Sequence, residues 1–208
     1  MPLAQRGYEV KILDPFEEML QKARQTLDAE EEAVRGRVEL VGGNGEDAPR
    51  IFGSETFDAV LCHGVLIYLE NPDPLIEALS IIARPGAVIS ILTKNTDALA
   101  MRPALEGRYK EALASFDSDR ETNRLGSVTR TDTVPELSTK LKSYGIELEQ
   151  WYGVRVLPTT WTTVPRPGTT GHFGGRVGSW KERSISGSRA AGSPRRAQDS
   201  RVRIAAPV

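Results

Sequence analysis

An acidic side chain follows the first apolar stretch of the sequence. In YEVKILDPFEEML (residues 8–20), an apolar strand runs into Asp14, and a helix that starts at Pro15 follows at once. In nucleotide-binding α/β proteins, an acid at the end of the second strand binds a ribose hydroxyl, and a glycine loop about twenty residues upstream holds the rest of the ligand. Only thirteen residues precede Asp14 here. Asp14 is therefore either a ribose ligand without its glycine loop or a helix N-terminal acid stabilised by the macrodipole.

Other polar residues follow later apolar stretches. GNGED (43–47) puts Asp47 in a loop after the next predicted strand, and FDAVLCHGVLIYLENPD (57–73) is a buried strand that opens into a loop at His63. Open α/β sheets bind ligands at the carboxyl ends of their strands, which is where His63 lies. A lone histidine is also often a structural side chain, and both interpretations remain open.

Alternating strands and helices over residues 1–157 would position these side chains. Five apolar stretches predict strands: YEVKILD (8–14), RVELVGG (37–43), TFDAVLCHGVL (56–66), AVISILTKN (87–95) and IELEQWYGVRVL (146–157). Apolar residues at helical spacing predict helices over 15–36, 71–86, 97–116 and 134–145. Strand and helix alternation of this kind predicts an α/β fold with a mostly parallel, doubly wound sheet.

The last fifty residues differ from the rest in composition. Residues 158–208 carry nine Lys/Arg and two Asp/Glu, a charge of +7, which leaves 18 basic and 26 acidic residues, or −8, for residues 1–157. Gly, Pro and Ser make up 18 of these 51 residues. Such a composition buries too little apolar surface to offset chain entropy, so we predict a disordered basic tail.

Two explanations fit this tail. It is either a basic segment that binds RNA through phosphates or the product of a shifted reading frame, which in a GC-rich gene encodes Arg, Gly, Ser, Ala and Pro. The change falls directly after GVRVL (153–157), in the middle of a predicted strand rather than at a linker. This position favours the frame shift.

Composition excludes several other classes of protein. The single cysteine, Cys62, excludes an internal disulfide framework and a cysteine-based zinc site, and its apolar strand predicts an inert buried thiol. No apolar run approaches the ~20 residues that span a bilayer, and the first residues lack a secretory signal. We predict a cytoplasmic protein without membrane segments or metal.

Taken in order, these motifs resemble those of the class I methyltransferases that depend on S-adenosylmethionine. Within that superfamily the sequence is most similar to the bacterial tRNA methyltransferases that esterify 5-carboxymethoxyuridine at the wobble position. The similar stretches are RGYEVKILDPFEEMLQKA (6–23), CHGVLIYLENPDPL (62–75) and GVRV (153–156), together with an insertion of about 97–131 after Lys94 and Asn95. The resemblance implies a Rossmann-like fold over residues 1–157.

The resemblance also implies which residues bind the cofactor. Asp14 would accept both ribose hydroxyls, because a carboxylate has two acceptors placed for a diol. Gly45 and Glu46 match the loop that lies along the adenine, and Asp47 would accept from its exocyclic amine; an ordinary turn is the alternative. His63 matches a residue that faces the methionine part of the cofactor.

Two residues are candidates for binding the methyl acceptor. Tyr68 would flank it or serve in packing, and Arg155 would pair with an acceptor carboxylate in bidentate geometry or remain a solvated strand-end residue. Basic residues of the insertion could contact a tRNA backbone, although acids are interspersed among them: Arg102, Arg108, Lys110, Arg120, Arg124 and Arg130. A carboxylate acceptor is ionised at neutral pH and needs no general base, which fits a sequence with two histidines and no nucleophile–base pair. No catalytic residue is assigned.

The family's glycine loop and first strand have no counterpart in this sequence. Residues 1–7 match the end of the first helix of the family, so the fold is expected to lack its first strand, and the tail offers no final antiparallel strand. The first strand normally lies between the strands at 8–14 and 57–62, and its loss leaves two central edges unpaired. We therefore expect an incomplete fold and weak or absent cofactor binding.

Other functions stay open at this point. A nicotinamide-dependent oxidoreductase also uses an acid after its second strand, but its catalytic tyrosine–lysine pair has no convincing counterpart here. A non-catalytic RNA-binding protein would act through the basic tail. The chain could also be a fragment without a function of its own.

Overall fold

Parallel strand pairs form the centre of the computed structural model, which describes residues 1–123, 126–154 and 200–207. All of these residues belong to one compact unit. The strands are β1 (Val10–Asp14), β2 (Val38–Gly42), β3 (Phe57–His63), β4 (Ala83–Leu92), β5 (Arg120–Thr122), β6 (Val128–Arg130), β7 (Ile146–Val154) and β8 (Ser200–Pro207).

Short helices connect most of these strands. They are α1 (Pro2–Gln5), α2 (Glu17–Asp28), α3 (Glu32–Arg35), α4 (Ala48–Phe52), α5 (Asp73–Ile82), α6 (Met101–Leu105), α7 (Tyr109–Ala114) and α8 (Val134–Ser143). Single 3₁₀ turns cover Gly45–Asp47, Leu66–Tyr68, Thr96–Ala98 and Ser115–Asp117. The helix predicted over 15–36 is interrupted, because the chain leaves helical geometry at Glu31 (φ −62°, ψ 151°) before α3 begins.

The central strands form two separate parallel groups. β1 pairs with β2, with Asp14 opposite Gly42, while β3, β4, β8 and β7 form a four-stranded sheet in that order. Within the described residues, β1 and β3 each have a single neighbour. This arrangement agrees with the prediction of two unpaired central edges, and it splits what would otherwise be one doubly wound sheet.

Side chains bridge the space between the two groups of strands. The Lys11 ammonium of β1 lies 5.4 Å from the centre of the Phe52 ring, and that ring meets Phe57 of β3 edge to face at 5.3 Å between centroids. Neighbouring strands that pair through hydrogen bonds lie only about 4.8 Å apart, which is less than either of these two distances. α4, which carries Phe52, thus connects the two groups where no strand does.

One face of the four-stranded sheet carries the hydrophobic core. Val60, Ile89 and Ile91 of β3 and β4 are buried in one cluster with α5 and α8 side chains such as Leu79 and Leu141. The opposite face is more open, since Leu61 of β3 remains 53% exposed. Parallel sheets are usually covered on both faces, so this face is incompletely covered by the described residues.

The tail was predicted to lack the final antiparallel strand, but it does contribute a strand, β8, which is parallel. β8 lies between β4 and β7 and runs parallel to both, with Ile91 opposite Ile204 and Trp151 opposite the same residue. The short segment VRIAA was not predicted as a strand, because the tail as a whole is rich in Gly, Pro and Ser. Its backbone pairs with the edges of β4 and β7, which exist only in the folded sheet. Residues 155–199 and 208, where the prediction of disorder also falls, lie outside the described residues.

The insertion also contains more structure than the predicted helix and loop. Gly107, at φ +76°, separates α6 from α7, and β5 and β6 form an antiparallel hairpin within the stretch predicted as a polar loop. Thr122 pairs with Val128 next to the turn. The sequence lacks the alternating pattern that would have predicted three-residue strands.

Candidate functional site

Asp14 lies at the carboxyl end of β1, as predicted. Its Oδ1 accepts a hydrogen bond from the Phe16 backbone N–H at 2.8 Å, which fixes the carboxylate at the start of α2. The backbone carbonyl of Asp14 accepts from Gly43 N–H at 3.2 Å. The turn therefore orients the carboxylate, and Oδ2 is the atom that remains for a ligand hydroxyl.

The loop after β2 forms a 3₁₀ turn over Gly45–Asp47. A Cβ atom at Gly45 would lie 2.6 Å from Leu75 Cδ1, so any larger residue would force the buried Leu75 side chain of α5 to shift. Glu46 is exposed, and Asp47 pairs with Arg50 at 3.3 Å. The glycine thus allows the turn to pack closely on Leu75, whereas the Glu46 carboxylate is accessible to a ligand.

His63 is the last residue of β3 and lies on the more open face of the sheet. Its Nε2 is 2.9 Å from Ser90 Oγ of β4, which orients the imidazole. Leu61 lies on the same face, while Val60 and Cys62 point into the core. Ser90 was not predicted as a site residue. The signal that could have indicated it is a polar residue in an otherwise continuous apolar strand, two residues before the strand ends.

Three of the predicted segments lie at one edge of the fold. β1, β2 and β3 all end there, since β1 is parallel to β2 and the Gly45–Asp47 turn packs on α5, which follows the loop after β3. Asp14, the Gly45–Asp47 turn and His63 thus share the carboxyl-end side. This is the side at which open α/β sheets bind ligands.

The β5–β6 hairpin attaches to the carboxyl end of β4 through polar contacts. The Lys94 ammonium donates to Glu121 Oε2 at 2.6 Å and to Thr129 Oγ1 at 2.9 Å. β6 also contacts the Leu66–Tyr68 turn, where Tyr68 is exposed. Lys94 was not singled out from the sequence, although it is a charged residue two positions beyond the end of β4, much as Asp14 is a charged residue at the end of β1.

A buried carboxylate lies at the base of this hairpin. Burial raises the pKa of Asp132, although Arg130 binds its Oδ1, and Oδ2 is buried without a hydrogen-bond partner among the described residues. An unsatisfied buried carboxylate oxygen is costly. Asp132 also pairs through its backbone with Lys94 and Thr96, so it joins the hairpin to the end of β4.

The basic residues of the insertion do not form a continuous cationic surface. Arg102 and Arg108 both bind Glu106, Arg108 also binds Glu111, and Arg130 binds Asp132. Arg124, like Arg155, lies outside the described residues. Lys110 and Arg120 are the insertion cations for which the described residues supply no ion pair.

Other classes of site find little support in the described part of the chain. No group of three His, Cys, Asp or Glu side chains there could hold a metal ion. A shallow pocket lined by Glu9, Lys11, Arg37 and Glu39 lies at the amino ends of β1 and β2, on the far side from Asp14. No described helix has both the length and the apolar character to cross a bilayer.

Known proteins are similar to this chain in sequence and in fold. Residues 1–91 match the family described as methyltransferase domain. A S-adenosylmethionine-dependent methyltransferase from Methanosarcina mazei has a similar structure, with a TM-score of 0.53 and 17% identity over 69% of this chain and 71% of that chain. The sequence of residues 1–91 is thus similar to the methyltransferase domain, and the chain shares its fold with an S-adenosylmethionine-dependent methyltransferase. The cofactor of this methyltransferase family is S-adenosylmethionine, as the motifs predicted.

Two curated relatives match this chain at low sequence identity. The tRNA 5-carboxymethoxyuridine methyltransferase of Escherichia coli O157:H7 is 24% identical over 154 residues, which is 74% of this chain and 57% of the relative. The K12 protein of the same name is 26% identical over 119 residues, 57% of this chain and 44% of the relative. The chain thus spans about half the length of the curated relatives it matches.

Proposed function

We propose that this chain carries the flanks of a methyl-transfer site, with S-adenosylmethionine bound at the carboxyl ends of β1, β2 and β3. The observation that carries the proposal is that Asp14, the Gly45–Asp47 turn and His63 share that edge, within the residues that match the methyltransferase domain. Asp14 Oδ2 would accept a ribose hydroxyl, the turn would lie along the adenine, and His63 would face the methionine moiety. Tyr68 and Arg155 would flank the acceptor.

The proposed acceptor is a carboxylate, specifically that of 5-carboxymethoxyuridine at a tRNA wobble position. The sulfonium methyl of the cofactor reacts with an in-line nucleophile held about 3 Å away, so orientation carries much of the rate enhancement. A carboxylate with a pKa near ~4 is ionised at neutral pH and needs no general base. This suits a site whose described histidine, His63, is held by Ser90. The names of the curated relatives support this acceptor.

We expect the isolated chain to bind the cofactor weakly. Within the described residues, no strand or glycine loop lies between β1 and β3, so the backbone amides that would approach the methionine and ribose groups are not supplied there. Asp14 and Glu46 alone offer few contacts.

Titration of S-adenosylmethionine into ¹⁵N-labelled protein tests the site and the affinity together. We expect shifts of the Asp14, Gly45, Glu46 and His63 amides that saturate only at millimolar ligand, and no such shifts with NADH. Shifts confined to the amino ends of β1 and β2 would refute the site. Micromolar affinity in calorimetry would refute the expected weakness, and NADH binding at Asp14 would instead favour the oxidoreductase.

The acceptor class has its own test. Tritiated donor is incubated with the protein and tRNA that contains 5-carboxymethoxyuridine, and the labelled tRNA is then treated with mild alkali. Any methyl group transferred to a carboxylate is released as volatile methanol, whereas a methyl group on nitrogen or carbon stays on the tRNA. Alkali-stable label would refute the carboxylate acceptor.

A further inference from the structure

The second helix of the insertion exposes an apolar face. Tyr109, Leu113 and Phe116 are 69%, 68% and 74% exposed, although α7 and the following 3₁₀ turn belong to the compact unit. We propose that this α7 face, defined by these three side chains, is a self-association surface that binds a second copy of the chain. The proposal is independent of the methyl-transfer site.

Helical spacing places the three side chains together. Residues four and three positions apart lie on the same side of a helix, so Tyr109, Leu113 and Phe116 follow one another along about 10 Å of the surface. Ala112 is buried and anchors the helix on its other side. Gly107, at φ +76°, ends α6 and lets α7 start in a new direction. The fold thus fixes α7 and leaves its largest apolar residues outside.

An exposed cluster of this type marks an interaction surface. Two aromatic rings and a leucine, each about two-thirds exposed, present roughly 400 Å² when ~150–250 Å² is taken for a fully exposed aromatic side chain. This is the size of the largest apolar patch on a typical monomer, about 300–600 Å², and such a patch is often functional. Two copies would bury roughly 800 Å² here, somewhat below the ~1,200 Å² of the smallest stable interfaces. A weak, concentration-dependent dimer therefore fits the area.

The charges around the patch favour a copy of the same surface over nucleic acid. Residues 101–117 contain three basic and three acidic side chains, so the segment has no net charge. Glu106 pairs with Arg102 and Arg108, which keeps two of these cations from a phosphate backbone. RNA binding through phosphates needs unpaired cations. A surface with equal numbers of both signs can instead face its own copy without net repulsion.

In a two-fold interface, the central residue of the patch must lie near the symmetry axis. In an isologous dimer the same patch contacts itself, so a residue near the axis meets its own counterpart. Leu113 lies between Tyr109 and Phe116 along the helix and is the residue closest to the middle of the patch. It should therefore lie near the axis.

Sedimentation of the full-length chain tests the association. We expect a monomer–dimer equilibrium in the micromolar range for the wild type and a monomer for Leu113→Lys. Val128→Lys on β6, where the native residue is 58% exposed, is the matched control and should keep the dimer. A monomeric wild type at all concentrations, or equal loss of the dimer in both variants, would overturn the proposal.

Cysteine cross-linking tests the axis without adding a charge. Leu113→Cys should form a disulfide-linked dimer under mild oxidation, whereas Val128→Cys and the wild type should not, because the native Cys62 is buried. Cross-linking of both engineered cysteines to the same extent, or of neither, would overturn the proposal. This measurement decides the question if Leu113→Lys proves too unstable to fold.

Discussion

At the scale of single residues, two side chains show how the same local signal can serve structure and ligand binding. Asp14 was predicted as a ribose ligand, and its carboxylate is also tied to the Phe16 N–H at 2.8 Å. His63 was predicted to face the cofactor, and Ser90 holds its ring. A hydrogen bond that orients a side chain occupies one of its polar atoms and holds the other polar atom in a fixed position for a ligand. Structural anchoring and ligand binding are therefore compatible at both positions.

Substitution at Asp14 separates these two roles. Asparagine keeps an oxygen that accepts from the Phe16 N–H but loses the charge and the second acceptor, whereas alanine loses all of them. In urea unfolding, we expect the free energy of unfolding of Asp14→Asn to lie within about 0.5 kcal/mol of the wild-type value. That of Asp14→Ala should be about 1 kcal/mol lower. Both variants should lose the cofactor-induced amide shifts. Retention of those shifts in Asp14→Asn would show that the carboxylate does not contact the ribose.

The Cys62 thiol should be inert in the folded protein, as its apolar strand predicted. Burial raises its pKa from 9.0 to about 11, so the thiolate forms only as the pH rises towards that value. At pH 8 the thiolate fraction falls by roughly a hundredfold relative to a free thiol, and the thiolate is the reactive form. We expect slow labelling by a disulfide reagent under native conditions and fast labelling in urea. Rapid native labelling at pH 8 would show that β3 is not packed as described.

At the scale of secondary structure elements, local sequence signals predicted the kind of most elements better than their boundaries, and close contacts explain several of the boundaries. The Gly45–Asp47 turn reaches α5 because residue 45 lacks a Cβ. Thr133 caps the start of α8: its hydroxyl accepts from the Glu136 N–H, while the Glu136 carboxylate accepts from the Thr133 N–H. This capping box is visible in the sequence as T-V-P-E. The Leu75 contact is not visible there, since it joins residues thirty positions apart.

Gly45→Ala should destabilise the protein by overpacking. The new methyl group would lie 2.6 Å from Leu75 Cδ1, and strain of this kind typically costs about 1–3 kcal/mol. Gly36→Ala is the matched control, because its Cβ would meet only the Glu32 carbonyl oxygen at 3.5 Å and its φ of −62° suits alanine. Urea unfolding of both variants measures the difference. Equal stabilities would show that α5 yields without cost.

Thr133→Ala should remove the cap of α8. Loss of an N-cap hydroxyl costs about 1 kcal/mol, whereas Thr133→Ser retains it. Hydrogen bonds from Thr133 also lower the pKa of Glu136, so the ionised carboxylate stabilises the folded state above its unfolded pKa, and that stabilisation is lost as the pH falls through the lower folded value. The difference between wild type and Thr133→Ala in urea should therefore shrink at acidic pH. A difference that is constant with pH would exclude Glu136 from the cap.

At the scale of the whole molecule, strand pairing differs from what the order of elements alone suggests. β8 comes from the far end of the chain and lies between β4 and β7, while β1 and β3 share no ladder. A central strand has two hydrogen-bonded neighbours, so β8 completes one region of the sheet and the space between β1 and β3 leaves another open. The proposed weakness of cofactor binding belongs to this scale, because it follows from the open region and not from any single residue.

Removal of residues 200–208 should destabilise the sheet. Both β4 and β7 would lose their shared neighbour, and several backbone hydrogen bonds at about 0.5–1.5 kcal/mol each give a loss of several kcal/mol. Removal of Val208 alone leaves every described strand intact and serves as the control. Hydrogen exchange of the Ile89 and Ile91 amides reports the change directly. Unaltered protection in the longer deletion would show that β8 does not hold β4.

The amino-acid sequence by itself determined the kinds and order of most elements outside the insertion and the tail, together with the residues at strand ends. Apolar runs and helical spacing record which side of a local segment is buried, and this is enough to predict an α/β fold and to single out Asp14 and His63. Only the tertiary structure decided the place of β8, the separation of β1 from β3 and the contact of Gly45 with Leu75. These features depend on which distant edges and faces meet, and a local pattern carries no record of its partner.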